Sequence, residues 1–280
     1  MDKPLVSVRL MVYNNEPYIR EAVESILMQE TNFKVEIVVG DDFSTDNTLE
    51  IIKSYADTPN IYFKILERPI GGAYWKDRQR LGRLHNFKNI IDHCSGSYIA
   101  LLDGDDYWTD PLKLQKQVDF LENNHGYNYC GHNSYSLKGE KLHDIKLDVQ
   151  EFTFEQLIFK NILNSATLIF RANSFRLPDY FVSLETGDWA IQLFSIKNSR
   201  AFVLKDFMSA YRIHEDSLWN TISKNDMCLK GVKLQKGMKK FYNDKDSLSI
   251  INKAILERKK KFGIKKDTFL SRLKKKINFN

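Results

Sequence analysis

Through its first hundred residues the chain switches repeatedly between two hydrophobic periodicities, and few architectures accommodate that alternation. Leu5–Val12 is a short apolar run of β-branched character. Pro17–Gln29 follows, with Ile19, Val23, Ile26 and Leu27 at helical spacing. Val35–Val39, Ile61–Leu66 and Tyr98–Leu102 again read as strands, while Thr48–Tyr55 and Leu84–Ile91 read as helices. Strands separated by helices predict a largely parallel sheet covered on both faces. Such sheets place their chemistry at the carboxyl ends of the strands.

Two acidic knots fall at such ends. Gly40-Asp41-Asp42-Phe43-Ser44-Thr45-Asp46-Asn47-Thr48 follows the second strand, and Asp103-Gly104-Asp105-Asp106-Tyr107-Trp108 follows the fourth. Clustered carboxylates repel one another, and a hard divalent cation such as Mg2+ or Mn2+, shared with substrate phosphates, offsets that cost. In an extended chain Asp103 and Asp105 share one side, and Gly104 lets a ligand approach closely. The plainer alternative is turn and cap chemistry. Ser44, Thr45 or Asp46 can cap the helix starting near Thr48, and Asp105 and Asp106 can form a turn before Pro111. Two knots at two parallel strand ends favour the metal-phosphate reading.

Other chemistries lack their signatures. No GxGxxG follows the first strand, and GxxxxGK[ST], GxSxG and HExxH are absent. Hydrophobic residues at 42% and charged residues at 28% exclude global disorder. No apolar stretch approaches the roughly 20 residues that span a bilayer. The start, MDKPLVSV, does not resemble a secretory signal. Cys94, Cys130 and Cys228 show neither pairing logic nor zinc spacing, so reduced thiols and a cytoplasmic location are expected.

Beyond Pro111 the pattern loosens. Leu112–Asn123 reads as a helix and 124–150 as polar loop. Helical stretches recur near 153–160, 188–198 and 226–242, with strands at Thr167–Phe170 and Phe202–Leu204. One continuous domain is expected, with two functional halves and a tail.

Taken in order, VSVRLMVYNNEPYIREAVESIL, the DDFSTDNT knot, GSYIALLDGDDYWTDPLKLQKQVDFLE and ETGDW make the chain resemble the family 2 glycosyltransferases. The likeness is close over residues 4–125 and looser over 126–220. It implies the GT-A fold, an α/β architecture with a Rossmann-like, mostly parallel central sheet flanked by helices, here with a C-terminal helical extension. It also implies a donor half over 1–110, an acceptor half over 111–229 and a basic tail over 230–280. The implied activity is inverting transfer of a sugar from a UDP-, dTDP- or GDP-linked donor to a hydroxyl of a glycan or lipid-linked glycan, with Mn2+ or Mg2+.

Residue by residue, the resemblance places Val12, Tyr13 and Asn14 at the nucleotide. It gives Asp42 to the base, Arg83 to the nucleotide, Asp103 to the ribose and diphosphate, Asp105 to the metal and Asp188 to the general base. Asp106, His214, Trp189 and Glu185 are further candidates for diphosphate, metal or acceptor contact, Glu185 rivalling Asp188 as base. Trp108 and Trp219 are weaker candidates for stacking on an acceptor sugar. The segment 67–83, ERPIGGAYWKDRQRLGR, departs from the family pattern and leaves Arg78 and Arg80 beside Arg83 as alternatives.

Charge is unevenly spread. Residues 230–280 hold 17 Lys or Arg against 4 Asp or Glu, whereas the preceding residues hold 25 against 32. In FLSRLKKKINF, Phe269, Leu270, Leu273 and Ile277 share a helical face flanked by cations. Residues 265–280 therefore either lie on an anionic membrane, the inner face of the plasma membrane, or pack on the body. One rival reading is a nucleic-acid or anionic-surface binder, which leaves the acidic knots without purpose; no nucleic-acid partner is expected. The other is a sugar-1-phosphate nucleotidyltransferase, which wants a glycine-rich basic loop that Leu10–Tyr18 lacks.

Overall fold

A computed structural model describes residues 3–214 and 222–263. Among them, the alternation read from sequence forms β1 (Val6–Val12), α1 (Ile19–Leu27), β2 (Val35–Asp41), α2 (Thr48–Lys53), β3 (Ile61–Ile65), α3 (Ala73–Leu81), α4 (Leu84–His93) and β4 (Tyr98–Asp103). There follow β5 (Tyr107–Trp108), α5 (Lys113–Asn123), β6 (Tyr127–Lys138), β7 (Lys141–Ile145), β8 (Glu151–Phe152), α6 (Phe154–Leu157), β9 (Ile169–Arg171), α7 (Gly187–Ser195) and β10 (Arg200–Ile213). Helices α8 (Lys224–Met238) and α9 (Lys245–Lys261) complete the described order.

The strands form one sheet in the order β3-β2-β1-β4-β9-β6-β10-β5, with β7 on β6 and β8 on β10. Strands β1 to β4 run parallel, β9 is antiparallel to both its neighbours, and β6 and β10 run parallel. Registers align the strand ends that matter: Val12 lies beside Asp41, and Met11 beside Asp103. Both acidic knots therefore meet at the end of β1.

Alternation along β1 sends Val6, Val8, Leu10 and Val12 to a core shared with Ile19, Val23 and Ile26 of α1. Each such side chain contributes about 1.5–3 kcal/mol when fully buried. The opposite face carries a second core, where Leu84, Phe87 and Ile91 of α4 meet α7, α8 and α9 through Trp189, Leu234, Met238 and Ile251. Arg9 points to this second face, which explains a charge in the middle of an apolar strand.

Residues 124–150 differ from the expected loop: they hold the twelve-residue β6 and its hairpin partner β7. The apolar pattern is hidden because β6 buries His132, Asn133 and Ser134. Backbone partners make that burial tolerable. The Asn133 amide donates to the Lys205 carbonyl at 2.9 Å and accepts from the Leu147 N–H at 2.9 Å. Phe202–Leu204 is likewise only part of the fourteen-residue β10. Residue 230, expected to begin a tail, falls inside α8, and α8 and α9 pack into the second core through Leu234, Met238, Ile251 and Ala254. The amphipathic segment 265–280 and Trp219 lie outside the described residues. No described helix is long and apolar enough to cross a membrane. All three cysteines are unpaired thiols.

Candidate active site

The strand ends open into a cavity of about 1060 Å³ whose lining includes Asp42, Asp103, Asp105 and Asp188. The loops after β1 and β2 are laced together. The Asn14 N–H donates to Ser44 Oγ at 2.9 Å, Asn14 Oδ1 accepts from the Thr45 N–H at 2.8 Å, and the Asn15 N–H donates to Thr48 Oγ1 at 2.7 Å. Asn14 takes a left-handed φ of 49° to do so. Val12 is buried and Tyr13 is 58% exposed beside the cavity.

The first knot divides its labour. Asp41 accepts from the Ser44 N–H at 3.0 Å, and Asp46 accepts from the Thr48 N–H at 3.0 Å, so these two serve the turn and the start of α2. Asp42 faces the cavity. Its two oxygens are clasped by Arg78 of α3, with Nε at 2.7 and 3.0 Å and Nη2 at 2.6 Å. Arg83, taken from sequence as the nucleotide contact, lines the cavity nearer Asp188 and donates to the Glu185 carbonyl.

The second knot divides likewise. Asp106 is buried and accepts from the Arg212 N–H at 2.9 Å, fastening β10 to the knot. Asp103 and Asp105 both line the cavity. Asp103 is held by Arg9, whose Nη1 donates to Oδ1 at 2.7 Å and whose guanidinium covers the Phe87 ring at 4.6 Å. Gly104 has no room for a side chain: an added Cβ would meet Asn15 Oδ1 at 2.7 Å. Asp105 Oδ2 faces His214 Nε2 at 3.1 Å. Burial and then the neighbouring Asp103 charge push the Asp105 carboxyl above its ordinary value, although His214 opposes them. Burial, Asp105 and Asp103 push Asp106 well above it.

This donor set fits a divalent ion. A carboxylate oxygen and an imidazole nitrogen converge where negative charge is crowded, and Mn2+ accepts both ligand types. Among the described residues no group of three or more His, Cys, Asp or Glu side chains could hold an ion.

Asp188 stands in the first turn of α7, with Thr186 in the cap position. Asn161 Nδ2 donates to its Oδ2 at 2.6 Å. Burial raises the Asp188 carboxyl above its ordinary value and outweighs that bond. Glu185 is its opposite. Burial would raise it, but Lys233 at 2.7 Å and Lys230 at 2.9 Å hold it ionised at about 2. A carboxylate so firmly paired is a poor proton acceptor. Trp189, expected beside the sugar, is buried, donates its indole N–H to the Leu157 carbonyl at 2.7 Å and lies under Arg258 at 4.7 Å. Trp108 is also core, with its indole N–H on the Ala166 carbonyl at 3.0 Å.

Sequence reasoning held Arg78 as an alternative to Arg83, and it is Arg78 that clasps Asp42. Arg9, Asn161 and Arg258 were passed over. Only Arg9 carried a signal, as a lone charge inside VSVRLMV.

Residues 7–181 match glycosyl transferase family 2. An uncharacterised Mycobacterium tuberculosis protein is 30% identical over 224 residues, covering 77% of this chain and 61% of that protein. The chain thus spans about three fifths of the mycobacterial relatives' length. TuaG of Bacillus subtilis, named for teichuronic acid biosynthesis, is 25% identical over 221 residues, or 77% of this chain and 82% of TuaG. Residues 1–349 of Staphylococcus aureus TarS, solved with UDP, superpose with a TM-score of 0.63 at 22% identity, covering 91% of this chain and 71% of that one. The Pyrobaculum calidifontis mannosyltransferase PcManGT, solved with GDP-Man and Mn2+, gives 0.58 at 16% identity over 93% and 70%. With the sheet, the knots and the profile in agreement, the chain belongs to glycosyl transferase family 2 and has the GT-A fold.

Proposed function

We propose that the protein moves a sugar from a nucleoside diphosphate donor to a hydroxyl of a glycan or lipid-linked glycan, by single displacement with inversion. The observation that carries this reading is one cavity lined by Asp42, Asp105 and Asp188 together. A base at Asp42 meets a carboxyl group fixed by Arg78, whose oxygens suit the ring N–H of uracil, thymine or guanine. Val12, Tyr13 and Asn14 hold the nucleoside, and Asp103, oriented by Arg9, takes the ribose. Asp105 and His214 would hold Mn2+ or Mg2+, which neutralises charge on the diphosphate when bound.

Asp188 accepts the proton of the attacking hydroxyl. Asn161, donating to Oδ2, orients the carboxylate for that transfer. The acceptor oxygen bonds to the anomeric carbon as the bond to the diphosphate breaks, and the electron pair leaves with the nucleoside diphosphate. A carboxyl lifted above its ordinary value is better matched to this transfer than a strongly ionised one. The donor half spans 1–110 and the acceptor half 111–229. Action in the cytoplasm, with 265–280 touching the membrane's inner face, fits the polysaccharide-building names among the relatives.

The test is thermal stabilisation by UDP, GDP, dTDP and CDP with Mn2+ and with EDTA, followed by the anomeric configuration of the product. A ligand at about 100 times its Kd stabilises by about 2.7 kcal/mol. A shift for an imide-type base that EDTA abolishes, and an inverted product, are expected. No shift with any nucleotide, or a retained configuration, refutes the reading.

A further inference from the structure

Three consecutive residues after α6 converge on the cavity. The Phe159 carbonyl accepts from Arg258 Nη2 at 2.8 Å, Lys160 is exposed and lines the cavity, and Asn161 donates to Asp188 at 2.6 Å. Arg258 reaches this place from α9, its guanidinium spread over Trp189 at 4.7 Å and packed against Gly231. The two cations thus line the cavity that holds the proposed base, joined to it through the run 159–161.

Their pairing sets them apart. Arg9 is matched to Asp103, Arg78 to Asp42, and Lys230 and Lys233 to Glu185. Arg83 donates to the Glu185 carbonyl, and its charge acts on Asp188 as the least of the influences on that carboxyl. Among the described residues, neither Lys160 nor Arg258 has a carboxylate at ion-pair distance. Arg258 is half-buried, its Nε is buried without a hydrogen-bond partner, and burial depresses its basicity. A cation stripped of water and given no counter-charge is an incomplete ion pair.

We propose that Lys160 and Arg258 form an anion subsite in the acceptor half, and that the acceptor is a negatively charged molecule bearing a phosphate ester or carboxylate close to the reacting hydroxyl. This rests on the reading of Asp188 as the base. A guanidinium held against an indole keeps its planar fork of N–H donors in place, which suits the paired oxygens of either group, and Lys160 adds a second charge. Ile162, Met227 and Phe262 line the same cavity, so the charge can sit on a glycan or next to a lipid.

The test is calorimetric titration of the full chain, saturated with UDP and Mn2+, with glucose 1-phosphate, glucuronate, dihexanoyl phosphatidic acid and the neutral methyl glucoside. At least one anionic probe should bind and the neutral one should not. Lys160→Ala should weaken the bound probe about tenfold and Lys160→Glu further, the scale of one charge-assisted hydrogen bond. UDP affinity should stay within about twofold. Arg258→Lys, which keeps the charge and loses the planar fork, should also weaken it. Preference for the sugar phosphate, the uronate or the lipid phosphate identifies the source of the charge. The proposal falls if the neutral sugar binds as well as the anions, if no probe binds, if Lys160→Glu changes nothing, or if Lys160→Ala weakens UDP equally. Anion binding without any UDP binding would instead remove the donor-site reading and leave the anion subsite standing.

Discussion

Arg9 and Asp103 are unequal partners, and removing one should cost far more than removing the other. The Arg9 side chain is 0% exposed and that of Asp103 is 28% exposed. Asp103→Asn leaves a buried guanidinium still charged, with Nε and Nη2 already lacking hydrogen-bond partners. At an effective dielectric of about 20 the lost attraction is about 4 kcal/mol. Breaking a buried pair from one side costs about 3–5 kcal/mol by mutational precedent, in the same range. Arg9→Met removes the charge that is harder to bury, keeps an unbranched stem against Phe87 and lets Asp103 turn to water. Its cost is about 0–2 kcal/mol. The double variant should resemble Arg9→Met, giving a coupling energy of about 3–5 kcal/mol, the whole cost of Asp103→Asn. Urea unfolding without nucleotide reads all three, and an unchanged m value certifies that the same surface is exposed. The thermal midpoint of Asp103→Asn should fall on the order of 10 °C. If Arg9→Met costs as much as Asp103→Asn, unequal burial does not govern the pair and the reasoning is wrong.

Asp188→Asn should lower transfer by about 10²–10⁴-fold while UDP binding persists, as single-turnover and titration measurements would read. The same substitution has a pH signature. With its folded carboxyl raised, Asp188 contributes stability in acid that is lost as pH rises through that raised value, so the variant should melt above the wild type at neutral pH and converge with it below about pH 4. Asp42→Ala should weaken UDP by about 10–100-fold in calorimetry, the loss of one hydrogen bond to a charged acceptor. Gly40→Ala would place a Cβ 2.3 Å from Ile90 Cδ1 and 2.7 Å from Asn86 Oδ1, and should cost about 1–3 kcal/mol in urea unfolding; an unchanged midpoint would mean that α4 yields freely.

The βαβ alternation was legible because its signals are local. Ile19, Val23 and Ile26 announce α1 by spacing alone, and all three are buried. The acidic knots were legible because carboxylates at strand ends need an external reason. The polar middle of β6 was not, since Asn133 is satisfied by Lys205 and Leu147, partners that exist only after folding. Helix α3 buries none of its residues, so no amphipathic period marked it, and the clasp of Arg78 on Asp42 spans 36 positions that no motif connects. The same holds for Trp189: its place beside Asp188 suggested a sugar contact, and only the approach of α9 shows that Arg258 covers it.

The fastening of the second knot to β10 sets an order of events. Tyr107 and Trp108 pair with Ala210 and Ser209, and the Asp106 carboxylate waits for the N–H of Arg212, 106 positions later. Closing so long a loop costs entropy before any contact repays it, so this step belongs late in folding. A chain emerging from the ribosome can align β1 to β4 long before β10 exists. Until then three neighbouring carboxylates stand without the backbone donor that fixes one of them, and the donor half has its shape without its chemistry. On the function proposed above, catalytic competence is therefore acquired last, in the step that fastens β10 to the second knot. A chain stopped before residue 200 should keep the parallel strands and lack the means to hold a diphosphate.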